Sequence, residues 1–384
     1  MKILISTDTV GGVLTYTTDL AAALEAAGDE VVVTTMGPRL RRAQREALPS
    51  RLFESGYRLE WMEDPWDEVA TAGRWLLQME EDEQPDVVHL CSYAHGALPF
   101  QAPKVVVAHS DVLSWWRAVH DTEAPESWNR YREELSAGLA SADAVVAPTA
   151  AMLEELERDH ALDPERTQVI PNGSPTAPPN RATTGELHQI SGLLGRKSDA
   201  VREGQPFVLG SGRFWDAAKN LAVLDAAAEG LAWAVVVAGD LGDGAPPRHA
   251  RATGVLDRDA LAALRRAAPI YAAPALYEPF GLGILEAARD RCALVLGDIP
   301  SLRELWDDAA IFVDRRDPGA LLEVLACLIE APQIRNDLAE RALARAEEYS
   351  IERTASAYRG LYRRLVAGDD PSQMPGAGHR EVTA

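Results

Sequence analysis

Short, largely apolar runs recur along this 384-residue chain, each followed by a longer amphipathic stretch. That alternation restricts the fold more than any other feature. In the first half the runs are residues 3–6, 31–35, 87–90, 105–108 and 144–147; in the second they are 207–210, 234–238, 270–272, 293–296 and 310–313. A strand covered on one face alternates apolar and polar side chains, so a run that is apolar at every position implies cover on both faces. Helical periodicity fills the gaps: 15–27 and 131–141 in the first half, then 221–229, 259–267, 280–289 and 318–330. Gly28 follows the first helix where a left-handed stop residue belongs. Strand–helix repetition of this kind predicts the α/β class, with two Rossmann-like, doubly wound parallel sheets.

The punctuation sets the domain limits. Pro171-Asn172-Gly173-Ser174-Pro175 and Pro178-Pro179-Asn180 are too dense in turn formers for any element, and 181–204 is polar with scattered glycines. The expected organisation is a first domain over 1–170, a linker or insertion over 171–205 and a second domain over 206–345. A last amphipathic stretch over 334–366, broken near Ser350, and a disordered tail over 367–384 complete the chain. Two open α/β sheets joined by a linker leave a cleft at the carboxyl ends of their strands, which is the default ligand site.

Composition excludes several functions. The chain carries 38 basic and 59 acidic residues, a net charge of −21. Such a surface repels phosphate backbones, so nucleic acid is not an expected partner. Arg39, Arg41, Arg42, Arg45 and Arg51 form one basic cluster. It reads either as a solvated helix face or as a peripheral contact for an anionic acceptor or membrane surface. Cys91, Cys292 and Cys327 have no paired spacing and read as three buried thiols. No apolar run is long enough for a signal peptide or a membrane span, so a cytoplasmic protein is expected. Metal signatures, a P-loop and a nucleophile elbow are absent from the sequence.

Chemistry-bearing residues cluster at strand ends. Gly11 and Gly12 follow the first strand and let a ligand approach the backbone. They are adjacent, and no acid ends the second strand, so a dinucleotide fingerprint is disfavoured. His109 ends the run 105–108, and Asp111 either caps the next helix or stands as the least poor covalent nucleophile. Trp115 and Trp116 follow, as core residues or as a stacking surface for an acceptor. In the second half, Arg213 ends a strand and Lys219-Asn220 opens a helix; a guanidinium fork beside an ammonium suits a diphosphate. Glu278 and Glu286 flank Pro279-Phe280-Gly281-Leu282-Gly283, a loop feeding a helix, with Glu286 expected in the helix's first turn. Open amides at a helix start attract phosphate, and a neighbouring acid accepts sugar hydroxyls. The local chemistry suggests a nucleotide sugar.

These residues resemble a known family. The chain is similar to retaining glycosyltransferases of the GT-B fold, in the large family four group, over roughly residues 1–366. The anchor is the family's E-x7-E motif, matched by Glu278 and Glu286. The Gly11-Gly12 loop, His109, Pro171-Asn172-Gly173, Arg213 and Lys219-Asn220 follow in the family's order. The resemblance implies GT-B architecture, two Rossmann-like domains facing each other across a cleft. It implies that the second domain binds a UDP-, GDP- or ADP-sugar and the first a hydroxyl acceptor, with no metal or other cofactor. Arg213 and Lys219 would hold the diphosphate. Phe280, Gly281 and Leu282 would line the donor, the latter two through backbone amides; Glu278 would take sugar hydroxyls and Glu286 the ribose. His109 and Gly12 would serve the transferred sugar from the first domain, the nucleobase would lie near 253–256, and the last helix would cross back to the first domain. The rivals are a nucleotide-sugar 2-epimerase and a non-catalytic nucleotide-sugar-binding protein; a phosphorylase is discounted because no lysine follows the Glu278 motif. Oligomeric state, acceptor and sugar stay open.

Overall fold

A computed structural model describes residues 1–175 and 205–368. Residues 176–204 of the linker expected over 171–205, and all but the first two residues of the tail expected over 367–384, lie outside the described residues. The chain forms two compact units, Met1–Pro175 with Ile351–Ala384, and Thr176–Ser350.

Among the described residues, the first unit holds β1 (Lys2–Asp8), β2 (Glu30–Met36), β3 (Leu52–Glu54), β4 (Val87–Leu90), β5 (Lys104–Val107), β6 (Ala144–Ala147) and β7 (Thr167–Val169). They form one parallel sheet in the order β3-β2-β1-β4-β5-β6-β7. Its helices are α1 (Gly12–Ala26), α2 (Arg42–Glu46), α3 (Trp66–Glu83), α4 (Val112–His120), α5 (Asn129–Ser141) and α6 (Ala150–Glu157). The apolar runs became the central strands because helices cover both sheet faces: Ile3, Leu4, Val32, Val88 and Val106 are completely buried. Strand order reverses between β1 and β4, and the loops after those strands define the crevice at this sheet's carboxyl edge.

The second unit holds β8 (Phe207–Ser211), α7 (Leu221–Ala228), β9 (Ala234–Ala238), β10 (Arg251–Gly254), α8 (Arg258–Ala267), β11 (Ile270–Ala273), α9 (Leu282–Arg289), β12 (Ala293–Gly297), α10 (Pro300–Trp306), β13 (Ile311–Val313), α11 (Pro318–Glu330) and α12 (Pro332–Ala346). Its sheet is also parallel, in the order β10-β9-β8-β11-β12-β13. One layer of core, around Leu209, Tyr271, Leu285 and Trp306, lies on one face; another, around Val208, Val237, Leu321 and Leu325, lies on the other. The reversal here falls between β8 and β11.

Several expectations shift. The sequence reading passed over β3, β7 and β10; each is a three- or four-residue edge strand with polar residues, so no continuous apolar run marks it. The helix expected over 280–289 starts at Leu282, because Gly281 is left-handed (φ 86°, ψ 65°) and cannot lie inside a right-handed helix. Glu286 therefore sits in the second turn rather than the first. The long final stretch breaks after Ala346, and α13 (Ile351–Ala367) begins a new helix. That helix belongs to the first unit: Thr354 Oγ1 donates to Pro171 O (2.9 Å), and Arg359 Nε pairs with buried Asp29 (2.6 Å). The cysteines are not uniformly buried: Cys292 is, Cys91 is half-buried and Cys327 is exposed.

Candidate functional site

The second unit gathers its chemistry where β8 and β11 part. After β8 the chain enters a 3₁₀ turn, Ala217–Lys219, started by Asp216, whose carboxylate accepts from Ala218 N–H (3.0 Å). Asn220 then adopts a left-handed conformation (φ 55°) and donates through Nδ2 to Pro274 O (2.8 Å) and Arg315 O (2.6 Å). Leu276 N–H donates to Ala218 O (2.8 Å). These bonds fasten the loop after β8 to the loop after β11, and they bring Lys219 Nζ to 2.6 Å from Glu278 Oε2. Both side chains keep about one fifth of their surface in solvent, 20% for Lys219 and 19% for Glu278. Ser301 Oγ donates to Glu278 O (2.7 Å), which fixes the acid's backbone.

The start of α9 lies beside this pair. Gly281 caps it without a side chain, and its carbonyl already accepts from Ile284 and Leu285. The N–H groups of Leu282 and Gly283 have no acceptor within the helix, as the first turn of any α-helix requires. A side chain at Gly281 would bring its Cβ to 2.8 Å from Ile284 Cδ1. The loop therefore offers an ammonium, a carboxylate and open amides on one edge of one sheet.

The other predicted residues fall as follows. Glu286 is bound by Arg265, whose Nη1 lies 2.9 Å from Oε2. The same guanidinium reaches Asp290 through Nε at 2.9 Å, and its side chain is only 7% exposed. Burial pushes Arg265 down, but Glu286 and Asp290 outweigh it, and the net shift is upward. Asp290 is raised by burial, with Arg265 opposing. Phe280 turns its ring into the core against Tyr349 (5.8 Å), so only its backbone faces outward. Arg213 stacks its guanidinium over Trp215 (5.3 Å) and stands 3.7 Å from Asp216, rather than bonding to Glu278. Arg265 and Trp215 escaped the sequence reading. Arg265 looks like an ordinary last-turn cation of α8, and a tryptophan is by default a core residue.

In the first unit, Gly11 (φ 73°) and Gly12 form the exposed start of α1, and Asp8 shapes their loop by accepting from Val10 N–H (2.8 Å). His109 follows β5. Its ring meets the edge of Tyr16 at 4.5 Å, and its Nε2 is buried with no hydrogen-bond partner. Burial pushes its pKa down to about 3, so the imidazole is neutral at physiological pH. Next to it His89, also pushed down to about 3 by burial, lies 2.6 Å through Nδ1 from Tyr362 Oη and 3.3 Å through Nε2 from Tyr16 Oη. Asp111 is fully buried and caps α4, accepting from Ser114 N–H (2.8 Å) and Oγ (2.6 Å). A carboxylate so engaged is a poor nucleophile, and the capping alternative holds. Trp115 and Trp116 are half-buried; Trp115 packs edgewise on Trp116 and on His120, and Trp116 meets His120 at a tilt.

Glu60 was also missed, although an acid inside Leu59-Glu60-Trp61-Met62 is an anomaly that could have flagged it. Both its oxygens accept backbone N–H groups, from Tyr93 and Ala94, at 2.9 Å. It lines a small cavity of about 20 Å³ with Asp8 and Ser92. Burial raises its pKa to about 7. Three of the five arginines of the basic cluster are matched internally: Arg42 with Glu46, Arg45 with Glu54, Arg51 with Glu83. No helix among the described residues is long and apolar enough to cross a membrane.

The model of Glycosyltransferase Family 4 matches residues 10–177, and that of Glycosyl transferases group 1 matches 195–345. A D-inositol 3-phosphate glycosyltransferase of Kineococcus radiotolerans is 27% identical over 94% of this chain and 92% of its own. An alpha-maltose-1-phosphate synthase of Mycolicibacterium smegmatis is 28% identical over 73% and 76%. Among solved structures, a sucrose-phosphate synthase of Thermosynechococcus elongatus superposes with a TM-score of 0.77 at 19% identity, covering 96% of this chain and 100% of its own. HepE of Anabaena, solved with UDP and glucose, gives 0.73 at 18%, covering 94% and 99%. The chain belongs to glycosyltransferase family four and has the GT-B architecture.

Proposed function

With that membership as premise, we propose that the chain transfers a hexosyl unit from a nucleoside diphosphate sugar to a hydroxyl acceptor, with retention at the anomeric carbon. The observation that carries this reading is the Lys219–Glu278 pair beside the open start of α9. An ion pair one fifth exposed is poised to exchange partners. On donor arrival the ammonium turns to the diphosphate and the carboxylate to sugar hydroxyls.

Cleavage of the anomeric C–O bond leaves positive charge on the sugar ring and a further negative charge on the departing diphosphate, the second on its terminal phosphate. Lys219, Arg213 and the amides of Leu282 and Gly283 stabilise that leaving group, since fixed donors act most strongly where charge develops. The acceptor hydroxyl attacks from the face the diphosphate leaves, and a diphosphate oxygen takes its proton. Glu286, held by Arg265, takes the ribose. In the first unit, His109 and the Gly11-Gly12 loop are assigned to substrate, the imidazole as a neutral hydrogen-bonding group.

Lys219→Ala and Glu278→Ala are each expected to lower kcat about 10²–10³-fold, the usual loss when one charge-stabilising group is removed. Wild-type transfer rates in either variant would sink the assignment. The anomeric configuration of the product, read by NMR, tests retention. Donor incubated without acceptor tests the epimerase alternative, which predicts turnover there.

A further inference from the structure

Trp215 is 43% exposed, one of the few large apolar side chains left so open among the described residues. It is nonetheless firmly held. Phe214 N–H, one residue before it, donates to Asp240 O (2.7 Å) in the loop after β9. Arg213 lies over the ring at 5.3 Å. Gly242 is left-handed (φ 59°), and a Cβ there would come within 2.9 Å of Trp215 Cβ. An apolar ring that is fixed and yet open is a preorganised contact surface: little side-chain entropy is lost when something stacks on it.

Its place on the sheet edge selects the occupant. β8 lies between β9 and β11. The loop after β8 sends Lys219 toward β11, where it meets Glu278, and packs Trp215 on the opposite flank, against the loop after β9. A nucleotide sugar is a linear ligand: sugar, diphosphate, nucleoside. With the sugar at Glu278 and the diphosphate at Lys219 and Arg213, the nucleoside extends toward β9 and β10. Val255, just beyond β10, is another of the exposed apolar residues on that flank. A flat aromatic ring with a charged group one step away fits the flank best.

We propose that Trp215 is the stacking surface for the base of the nucleoside diphosphate. The inference rests on the donor reading above and adds to it the residue that separates nucleotides from bare pyrophosphate. Stacking is tolerant of base identity, so Trp215 strengthens binding of every nucleoside diphosphate and leaves the choice among bases to other groups.

The test is calorimetric titration of UDP, ADP and inorganic pyrophosphate into the full chain and into Trp215→Ala, Trp215→Phe and Lys219→Ala, with melting curves confirming the fold of each. Trp215→Ala is expected to weaken both nucleotides about tenfold, within the range measured for base stacking, and to leave pyrophosphate unchanged. Trp215→Phe restores most of the loss. Lys219→Ala weakens all three ligands, which tests the donor reading separately. Unchanged nucleotide affinity in Trp215→Ala overturns the inference while leaving the donor reading intact. Equal loss of pyrophosphate also overturns it, because Trp215 then only props Arg213. A wild-type chain that binds no nucleoside diphosphate overturns the donor reading and this inference with it.

Discussion

The two units share one plan, a parallel sheet with helices on both faces, but the polar groups around their candidate sites are handled in opposite ways. Around His109 and Glu60, burial in the first disfavours the charged forms. His89 and His109 are driven down to about 3, Glu60 up to about 7, and hydroxyls of Tyr16 and Tyr362 flank His89. The second keeps them charged and paired: Lys219 with Glu278, and Arg265 with Glu286 and Asp290. Removing an ion from water is expensive unless it is matched or discharged; the two sites take different routes, although elsewhere the first unit also matches buried acids, Asp29 with Arg359 and Glu83 with Arg51. The difference has a functional meaning. A discharged network has little to offer an anionic ligand, whereas a matched pair can be divided by one.

The largest test of that contrast is Arg265→Ala. It leaves Glu286 and Asp290 facing each other without their cation, and a broken buried pair typically costs about 3–5 kcal/mol. Urea unfolding should show that loss; a change under about 1 kcal/mol would mean that solvent already screens the trio.

A smaller effect isolates Glu60. Its folded pKa of about 7 exceeds the ordinary 4.5, so between those values the folded chain holds a proton that the unfolded chain has released. Its contribution is thus most favourable below about pH 4.5 and is lost as pH rises to about 7, by roughly 3 kcal/mol. Glu60→Gln should flatten this part of the stability profile, while weakening one of the two amide bonds by about 1 kcal/mol at all pH values. A profile as steep as wild type would show that Glu60 does not carry the slope. The smallest effect is expected from Arg42→Ala. Arg42 and Glu46 are both well exposed, and such pairs rarely contribute measurably. The melting temperature should stay where it is.

What the sequence disclosed follows from where its signals are local. Central strands declare themselves because both faces are buried, and residues 87–90 and 144–147 were read to the residue. Edge strands such as Thr167–Val169 carry half that signal and passed unseen. At the site, the spacing of Glu278 and Glu286 could be read, and so could the cations at 213 and 219. Their partners could not. Lys219 meets Glu278 across two strands, and Arg265 reaches Glu286 from a helix that follows a different strand. Such pairings are tertiary facts, invisible to periodicity. Trp215 escaped for another reason: composition cannot tell the rare open tryptophan from the usual buried one.

The helix over Ile351–Ala367 has one more consequence. It delivers Tyr358 and Tyr362, both fully buried, into a unit whose other residues end at Pro175. On the ribosome the residues up to Pro175 must therefore wait for the helix over Ile351–Ala367, while the stretch between them, Thr176–Ser350, is contiguous and complete sooner. Nascent chains usually fold from the N-terminus onward. Here vectorial synthesis closes the first sheet's core only after Ile351–Ala367 has emerged, so a stop codon shortly before Ile351 would spoil a unit most of which was made long before it.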